Sequence, residues 1–198
     1  MRFILLISIT LFATTAHTAP SSRTVAKRKP AAVVFVIDRS ASMAGKKLEH
    51  AKQAVLAGIE VLAADDVVSV IAASAKSRVV VRYGMKSQRH YLAKVIGLVA
   101  STDDERFDDP FEDAHVLLAD DKRRRHVVLI TNAPVFKRGV PHGLRKLAKT
   151  DVTLTLIGLA GSDRPTRVVD QGDWILVLVD DSESLPRVVE TALRSAVP

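Results

Sequence analysis

The sequence predicts an α/β fold with a doubly wound, mostly parallel six-stranded sheet and helices on both faces. Short β-rich apolar runs alternate along the chain with segments whose apolar residues recur every three or four positions. The first run, residues 31–37 (AAVVFVI), is continuously apolar, as expected for a strand buried on both faces. The composition, with 47% hydrophobic and 26% charged residues, is that of a globular protein and excludes a disordered or fibrous chain.

Five further strands are expected after the first one. They comprise residues 67–72, 79–83, 126–131, 152–158 and 174–179. A short polar hinge joins the first two of these, which predicts a hairpin and hence one antiparallel edge strand. Helical spacing predicts helices around residues 48–62, 91–99, 110–118, 144–147 and 185–196, and a further short helix is expected at residues 166–170.

The third of these helices has a sequence-level start signal. Asp109 is suited to the N-cap, Pro110 to the first helical position, and Glu112 to a position from which it reaches back to the cap. A glycine, Gly172, is expected to end the short helix at residues 166–170.

The start of the chain resembles a secretory signal peptide. Arg2 precedes an apolar run at residues 3–13, and small residues follow it, with cleavage expected near Ala16 or Ala19. The run is shorter than the roughly 20 apolar residues that a membrane span needs. We therefore expect an exported chain without a transmembrane span after cleavage, with an uncleaved tether as the alternative.

Three parts of the chain follow from these patterns. Residues 1–19 are the expected signal peptide, residues 20–30 (PSSRTVAKRKP) a basic linker, and residues 31–198 one domain. The chain has no cysteine, which excludes disulfides, thiolate metal sites and a cysteine nucleophile. A cysteine-free exported chain fits a bacterial periplasm or a secreted location.

Oxygen-bearing side chains follow the predicted strands at their carboxyl ends, where doubly wound sheets bind ligands. The first strand is followed by Asp38, Ser40 and Ser42 at alternating positions of a short loop. One carboxylate and two hydroxyls suit a hard cation such as Mg²⁺ or Mn²⁺. The alternative is turn chemistry, in which these side chains cap the following helix and Gly45 eases the turn.

The segment VVFVIDRSASMAGKKL resembles the beginning of a von Willebrand factor type A (vWA) domain. The segments HVVLITNAP and DVTLTLIGLAG and the final helix follow in the order of that family, so the resemblance covers residues 31–197. It implies the Rossmann-like vWA fold and a metal-ion-dependent adhesion site (MIDAS). In such a site Mg²⁺ binds an acidic residue of a partner protein.

The resemblance implies a metal site assembled from three loops. Its residues are Asp38, Ser40, Ser42, Thr102 and Asn132. Asn132 stands where the family has aspartate, so it keeps an oxygen ligand but loses a negative charge. Ala41 stands where the family has glycine. The acidic residues Asp103, Asp104 and Glu105 are candidates to replace the lost charge, and a solvated surface is their alternative role.

A binding module is predicted rather than an enzyme. The nucleotide-binding glycine motifs and the hydrolase Gly-x-Ser-x-Gly elbow are absent, and the sequence places no histidine beside Ser40. One alternative is a vWA scaffold that has lost its metal site and binds partners through basic surfaces. A metal-dependent hydrolase is a distant second alternative.

The basic surface of that alternative centres on one run, Lys122, Arg123, Arg124 and Arg125. The chain carries 29 Lys+Arg against 22 Asp+Glu, which favours acidic partners. Nucleic acid is not an expected partner, because the chain is exported and only 5% of its residues are aromatic.

Overall fold

The computed structural model describes residues 28–103, 110–132, 142–159, 167–170 and 174–197. The expected signal peptide, most of the linker, Asp104, Glu105, Asp109 and Gly172 lie outside the described residues. Within the described part, no helix is both long and apolar enough to span a membrane.

The structure contains seven strands and five α-helices in these residues. The strands are β1 (Ala31–Asp38), β2 (Val67–Ala73), β3 (Arg78–Met85), β4 (Arg124–Asn132), β5 (Val152–Leu159), β6 (Arg167–Asp170) and β7 (Trp174–Val179). The helices are α1 (Lys46–Val61), α2 (Arg89–Gly97), α3 (Pro110–Leu118), α4 (His142–Leu147) and α5 (Leu185–Ala196). The strand order is β3-β2-β1-β4-β5-β7-β6.

The sheet confirms the predicted fold class. All six predicted strands are present, β1, β2, β4, β5 and β7 are parallel, and β2 and β3 form the predicted antiparallel hairpin. The helix predicted at residues 166–170 is wrong, because Arg167–Asp170 is strand β6, which pairs antiparallel with β7. This segment is too short for hydrophobic periodicity to distinguish a strand from a helix. The sheet therefore has a seventh strand and a second antiparallel edge.

Helices cover both faces of the sheet, as a doubly wound fold requires. Alternate residues of β1 point to opposite faces. Val33, Phe35 and Ile37 join a core with α1, α2 and α5. Val34 and Val36 join a second core with α3 and α4. All eight residues of β1 are buried. Packing in the two cores therefore fixes the position of the carboxyl end of this strand.

The last residues of the expected linker are docked against the domain. Arg28 donates to Asp66 at 2.6 Å and to Asp65 at 3.0 Å. Asp66 is almost fully buried and also accepts from the backbone N–H groups of Ala31 (2.7 Å) and Ala63 (2.8 Å). This carboxylate therefore fixes the beginning of β1 and holds Arg28 against the domain.

His126 is buried in the sheet at the beginning of β4. Its Nε2 lies 3.3 Å from the hydroxyl of Thr155 on β5, whereas its Nδ1 has no hydrogen-bond partner in the described part of the chain. Burial disfavours the charged imidazolium and lowers the pKa of His126 to about 4. The folded protein therefore holds this side chain neutral at physiological pH.

We expect the free energy of unfolding to fall as the pH drops from 6.5 towards 4. In this window the unfolded protein protonates His126 and the folded protein does not, which costs about 3 kcal/mol of stability in total. Urea titrations across this pH range should show a smaller loss for His126→Gln than for the wild type. The exposed His90→Gln variant is the control and should keep the wild-type slope; equal slopes for His126→Gln and the wild type would contradict the assignment.

Candidate metal centre

The carboxylate of Asp38 occupies the carboxyl end of β1 and is only 2% exposed. Its Oδ1 accepts the backbone N–H of Ser40 at 2.8 Å, and its Oδ2 accepts the hydroxyl of Thr131 at 2.6 Å. A buried carboxylate needs such hydrogen bonds because it has lost its hydration. The two bonds come from the loop after β1 and from the end of β4. Asp38 therefore holds these two segments together.

Ser40 and Ser42 lie beside this carboxylate on the same loop. Their hydroxyl oxygens are 3.1 Å apart and form a hydrogen bond with each other. Neither side chain caps a helix, since the N-cap of α1 is Gly45, with no side-chain capping bond. Gly45 has a φ of 74°, a conformation that favours glycine, as the turn alternative expected. The helix-capping explanation for the two serines is therefore wrong.

Thr102 lies against the same loop from the segment that follows α2. Its backbone N–H donates to the carbonyl oxygen of Arg39 at 2.9 Å. Its hydroxyl is buried and has no hydrogen-bond partner in the part of the chain that the structure describes. Buried hydroxyls are nearly always satisfied. Thr102 Oγ1 is therefore an exception among the buried hydroxyls of the described residues.

The other predicted site residues are less fully defined. Asn132 is the last residue of β4, directly after the Thr131 that binds Asp38. Asp103 is exposed and adjoins Thr102, whereas Asp104 and Glu105 lie outside the described residues. Asp103 is thus the one compensating acid whose position is described.

The donor set fits a hard divalent cation. Asp38 supplies a carboxylate, Ser40 and Ser42 supply adjacent hydroxyls, and Thr102 supplies an unpaired hydroxyl, all of which are oxygen donors. Within the described residues there is no cluster of three or more His, Cys, Asp or Glu side chains. The site therefore depends on hydroxyl oxygens and one carboxylate, a set typical of a weakly held Mg²⁺ or Mn²⁺ that keeps several waters.

The described histidines lie elsewhere and give Ser40 no base. His50 Nδ1 is 2.8 Å from the hydroxyl of Ser182, and His142 Nδ1 is 2.9 Å from Glu112 Oε1. Glu112 also accepts from Lys146, and these two partners lower the pKa of Glu112, Lys146 having the larger effect. Across the described segments, no histidine forms a hydrogen bond with Ser40 or Ser42. The geometry of the described residues therefore does not support a mechanism with Ser40 as nucleophile.

The basic run lies at the opposite end of β4 from Thr131 and Asn132. Arg123 pairs with Asp121 at 3.0 Å, and Arg125 pairs with Asp151. Arg124 donates through Nε to the carbonyl oxygen of Lys29 at 3.2 Å. Lys122 is exposed. Two of the four basic charges in this run are therefore paired with acids of the domain.

Two residues of the site were not predicted from the sequence. The sequence pattern does not indicate that Thr131 donates to Asp38. Its position at the carboxyl end of a buried strand adjacent to β1 is the signal that could have found it. Arg39 occupies an unspecified position of the Asp-x-Ser-x-Ser pattern, between Asp38 and Ser40. Its backbone carbonyl nevertheless accepts the N–H of Thr102. Nothing in the local pattern indicates that contact, because it joins residues far apart in the chain.

Sequence comparison identifies one family. The family model described as von Willebrand factor type A domain matches residues 33–134, just over half of the chain. No curated protein sequence matches the chain.

Solved structures confirm the fold. A von Willebrand factor type A protein from Catenulispora acidiphila superposes with a TM-score of 0.68 at 16% identity, over 85% of this chain and 43% of that one. BatB, a conserved hypothetical protein from Bacteroides thetaiotaomicron, gives 0.63 at 13%, over 84% of this chain and 98% of that one. Proximal thread matrix protein 1 from the mussel byssus, with a zinc-occupied MIDAS motif, gives 0.68 at 14%, over 86% and 46%. The chain thus spans less than half of the first and third of these proteins.

Thr131→Val should destabilise the domain by about 1.5–3 kcal/mol, because it removes a hydroxyl that binds a buried carboxylate. The change preserves side-chain shape, so packing contributes little to the loss. Urea unfolding measures the effect. Thr153→Val is the matched control, since Thr153 is an exposed threonine of β5. A loss no greater than that of the control would show that Thr131 does not support Asp38.

Proposed function

The chain belongs to the von Willebrand factor type A family, and we propose that it is an exported protein-binding module whose metal site engages an acidic residue of a partner. The observation that carries this proposal is the buried, unpaired hydroxyl of Thr102 beside the loop of Asp38, Ser40 and Ser42. In this proposal Mg²⁺ or Mn²⁺ is held by these four side chains, with Asn132 as a neutral fifth oxygen donor.

The composition of the site supports binding of an anionic ligand. Asp38 is its one buried carboxylate, and the hydroxyl ligands carry no charge. A cation held in this way keeps most of its positive charge and exchangeable water. A carboxylate from a partner protein can replace one of those waters and complete the coordination. The bound cation thus supplies an electrophilic contact point for an acidic side chain.

Binding without turnover is the function that this arrangement favours. Catalysis by a metal-bound water requires a general base or acid within hydrogen-bond reach of the reacting atoms. Ser40 and Ser42 have each other as described hydroxyl partners, and three of the described histidines bind Ser182, Thr155 and Glu112. We therefore place the chain among interaction modules and not among hydrolases.

Export is the second part of the proposal. It rests on the apolar run at residues 3–13 with its flanking small residues, and a chain without cysteine is compatible with a bacterial periplasm. One of the proteins with a similar fold is an aerotolerance-related membrane protein from Bacteroides fragilis, with a TM-score of 0.56 at 13% identity. We propose a periplasmic or secreted location for this chain.

One observation favours a different function, a vWA scaffold without a working metal site. Asn132 stands at the end of β4 where a charged ligand would attract a cation. If that loss abolishes binding, partners would dock elsewhere on the domain. Direct measurement of metal affinity separates the two functions.

Calorimetric titration of the domain with Mg²⁺ and Mn²⁺ should give saturable binding. Zn²⁺ is a third cation to test, since the mussel protein holds zinc in its MIDAS motif. Ser42→Ala and Asp38→Asn should each weaken or abolish binding, because each removes an oxygen donor while keeping the backbone intact. Asp65→Asn is the control, since Asp65 is an exposed acid beside Arg28 and the start of β1. Capture of the partner should then be lost on chelation and in Ser42→Ala.

Absence of binding by the wild type at millimolar cation would overturn the metal-dependent function and leave the scaffold. Binding that survives Asp38→Asn and Ser42→Ala unchanged would place the cation elsewhere on the domain.

Asn132→Asp should tighten Mg²⁺ binding by about tenfold, because an added carboxylate raises the negative charge around the cation. Calorimetry with the same cation measures the change. Asp103→Asn tests whether the neighbouring loop already compensates, and it should weaken binding if Asp103 contributes its charge. An unchanged affinity in Asn132→Asp would show that residue 132 lies outside the cation's reach.

A further inference from the structure

We propose that Arg39 is a positioning residue that holds the Thr102 loop in place for the cation. The inference rests on the proposed function, since it concerns the same site. Arg39 lies between Asp38 and Ser40, where the motif itself requires no particular side chain. Its contacts give it a role that the motif does not assign.

Arg39 joins three segments at the rim of the sheet. Its backbone N–H donates to the carbonyl oxygen of Ala73 at the end of β2, at 2.8 Å. Its carbonyl accepts the N–H of Thr102 at 2.9 Å. Its guanidinium Nη1 donates to the carbonyl oxygen of Ala100 at 3.3 Å. The residues from Ala100 to Thr102 are therefore held at both ends by one amino acid.

The side-chain half of this clamp is specific to arginine. The guanidinium is a planar fork that reaches a carbonyl in a fixed direction, whereas a lysine ammonium is a compact charge on a more adaptable stem. Arg39→Lys therefore keeps the positive charge but loses the fork. The backbone half, the carbonyl of Arg39, survives any substitution. Variants at this position thus release the Ala100 end of the loop selectively.

Unpaired atoms show that the clamp is not optimised for stability. The Nε of Arg39 and the hydroxyl of Thr102 are both buried without a hydrogen-bond partner in the described segments. Each such group costs stability in the folded state. A residue retained only for structure would use its buried donor. This loss of stability is expected if the loop is held in place for a ligand, because strain and unsatisfied polar groups are concentrated at functional sites.

The charge of Arg39 acts against its positioning effect, which makes the proposal testable. A guanidinium near a cation repels it, so charge alone predicts that Arg39→Gln tightens metal binding and that Arg39→Lys leaves it unchanged. Positioning predicts that both variants weaken binding. Residues that orient metal ligands typically contribute 10- to 100-fold to affinity. For Arg39→Gln, the charge effect and the positioning effect on metal affinity therefore have opposite signs. For Arg39→Lys, charge alone predicts no change, whereas positioning predicts weaker binding.

The experiment is calorimetric titration of Mn²⁺ into wild type, Arg39→Lys and Arg39→Gln, with thermal unfolding with and without Mn²⁺. We expect both variants to bind Mn²⁺ about tenfold or more weakly. Their metal-free unfolding temperature should equal or exceed that of the wild type, and the rise on adding Mn²⁺ should shrink. Arg187→Lys and Arg187→Gln are the controls, because Arg187 is an exposed arginine of α5. Unchanged or tighter binding in Arg39→Lys and Arg39→Gln overturns the proposal.

Hydrogen exchange of the Thr102 amide separates failure of this inference from failure of the proposed function. If the wild type binds no cation, the metal function fails, and the exchange rate in the metal-free protein decides the role of Arg39. Faster exchange of this amide in Arg39→Lys than in the wild type then supports the clamp. Equal exchange rates overturn it.

Discussion

The buried carboxylate of Asp38 is the interaction on which the rim of the sheet depends. It ends a strand that is buried over its whole length, so its position is set by the core. One of its oxygens binds the Ser40 amide and the other binds the Thr131 hydroxyl, which ties the loop after β1 to β4. That loop in turn carries both serines and the carbonyl that holds Thr102. Core packing, through one carboxylate, therefore positions the loop after β1 against the end of β4 and against Thr102.

The strands that bury two apolar faces were predictable, as was the antiparallel edge strand β3, whereas the edge strand β6 was not. Residues 31–37 and 174–179 are continuous apolar runs, and both are strands. Segment 167–170 contains only two apolar residues, so neither periodicity nor length favours a strand over a helix. Its conformation follows from pairing with β7. This pairing is a tertiary contact that the local sequence does not encode.

The distinction between local sequence patterns and tertiary contacts also applies to the residues of the candidate metal site. The alternation of Asp38, Ser40 and Ser42 is visible in the sequence, because one short loop contains all three. Thr102 was placed by family resemblance, and its contact with Arg39 joins residues separated by more than sixty positions. The run from Lys122 to Arg125 looked like an accessible basic surface. Asp121, which pairs with Arg123, is two residues away from it, whereas Asp151, which pairs with Arg125, is brought close only by the fold.

The two buried carboxylates among the described residues, Asp38 and Asp66, differ in their partners. Asp66, at the beginning of β1, accepts two backbone amides and is neutralised by Arg28 at 2.6 Å. Asp38, at the end of β1, is buried to the same extent but accepts only an amide and a hydroxyl. In the described part of the chain no basic side chain forms an ion pair with it. A buried charge is costly unless it is paired or coordinates a metal. The fold satisfies that condition for Asp66 with its own arginine, whereas Asp38 has only an amide and a hydroxyl as described partners, with the hydroxyls of Ser40 and Ser42 on the loop that follows it.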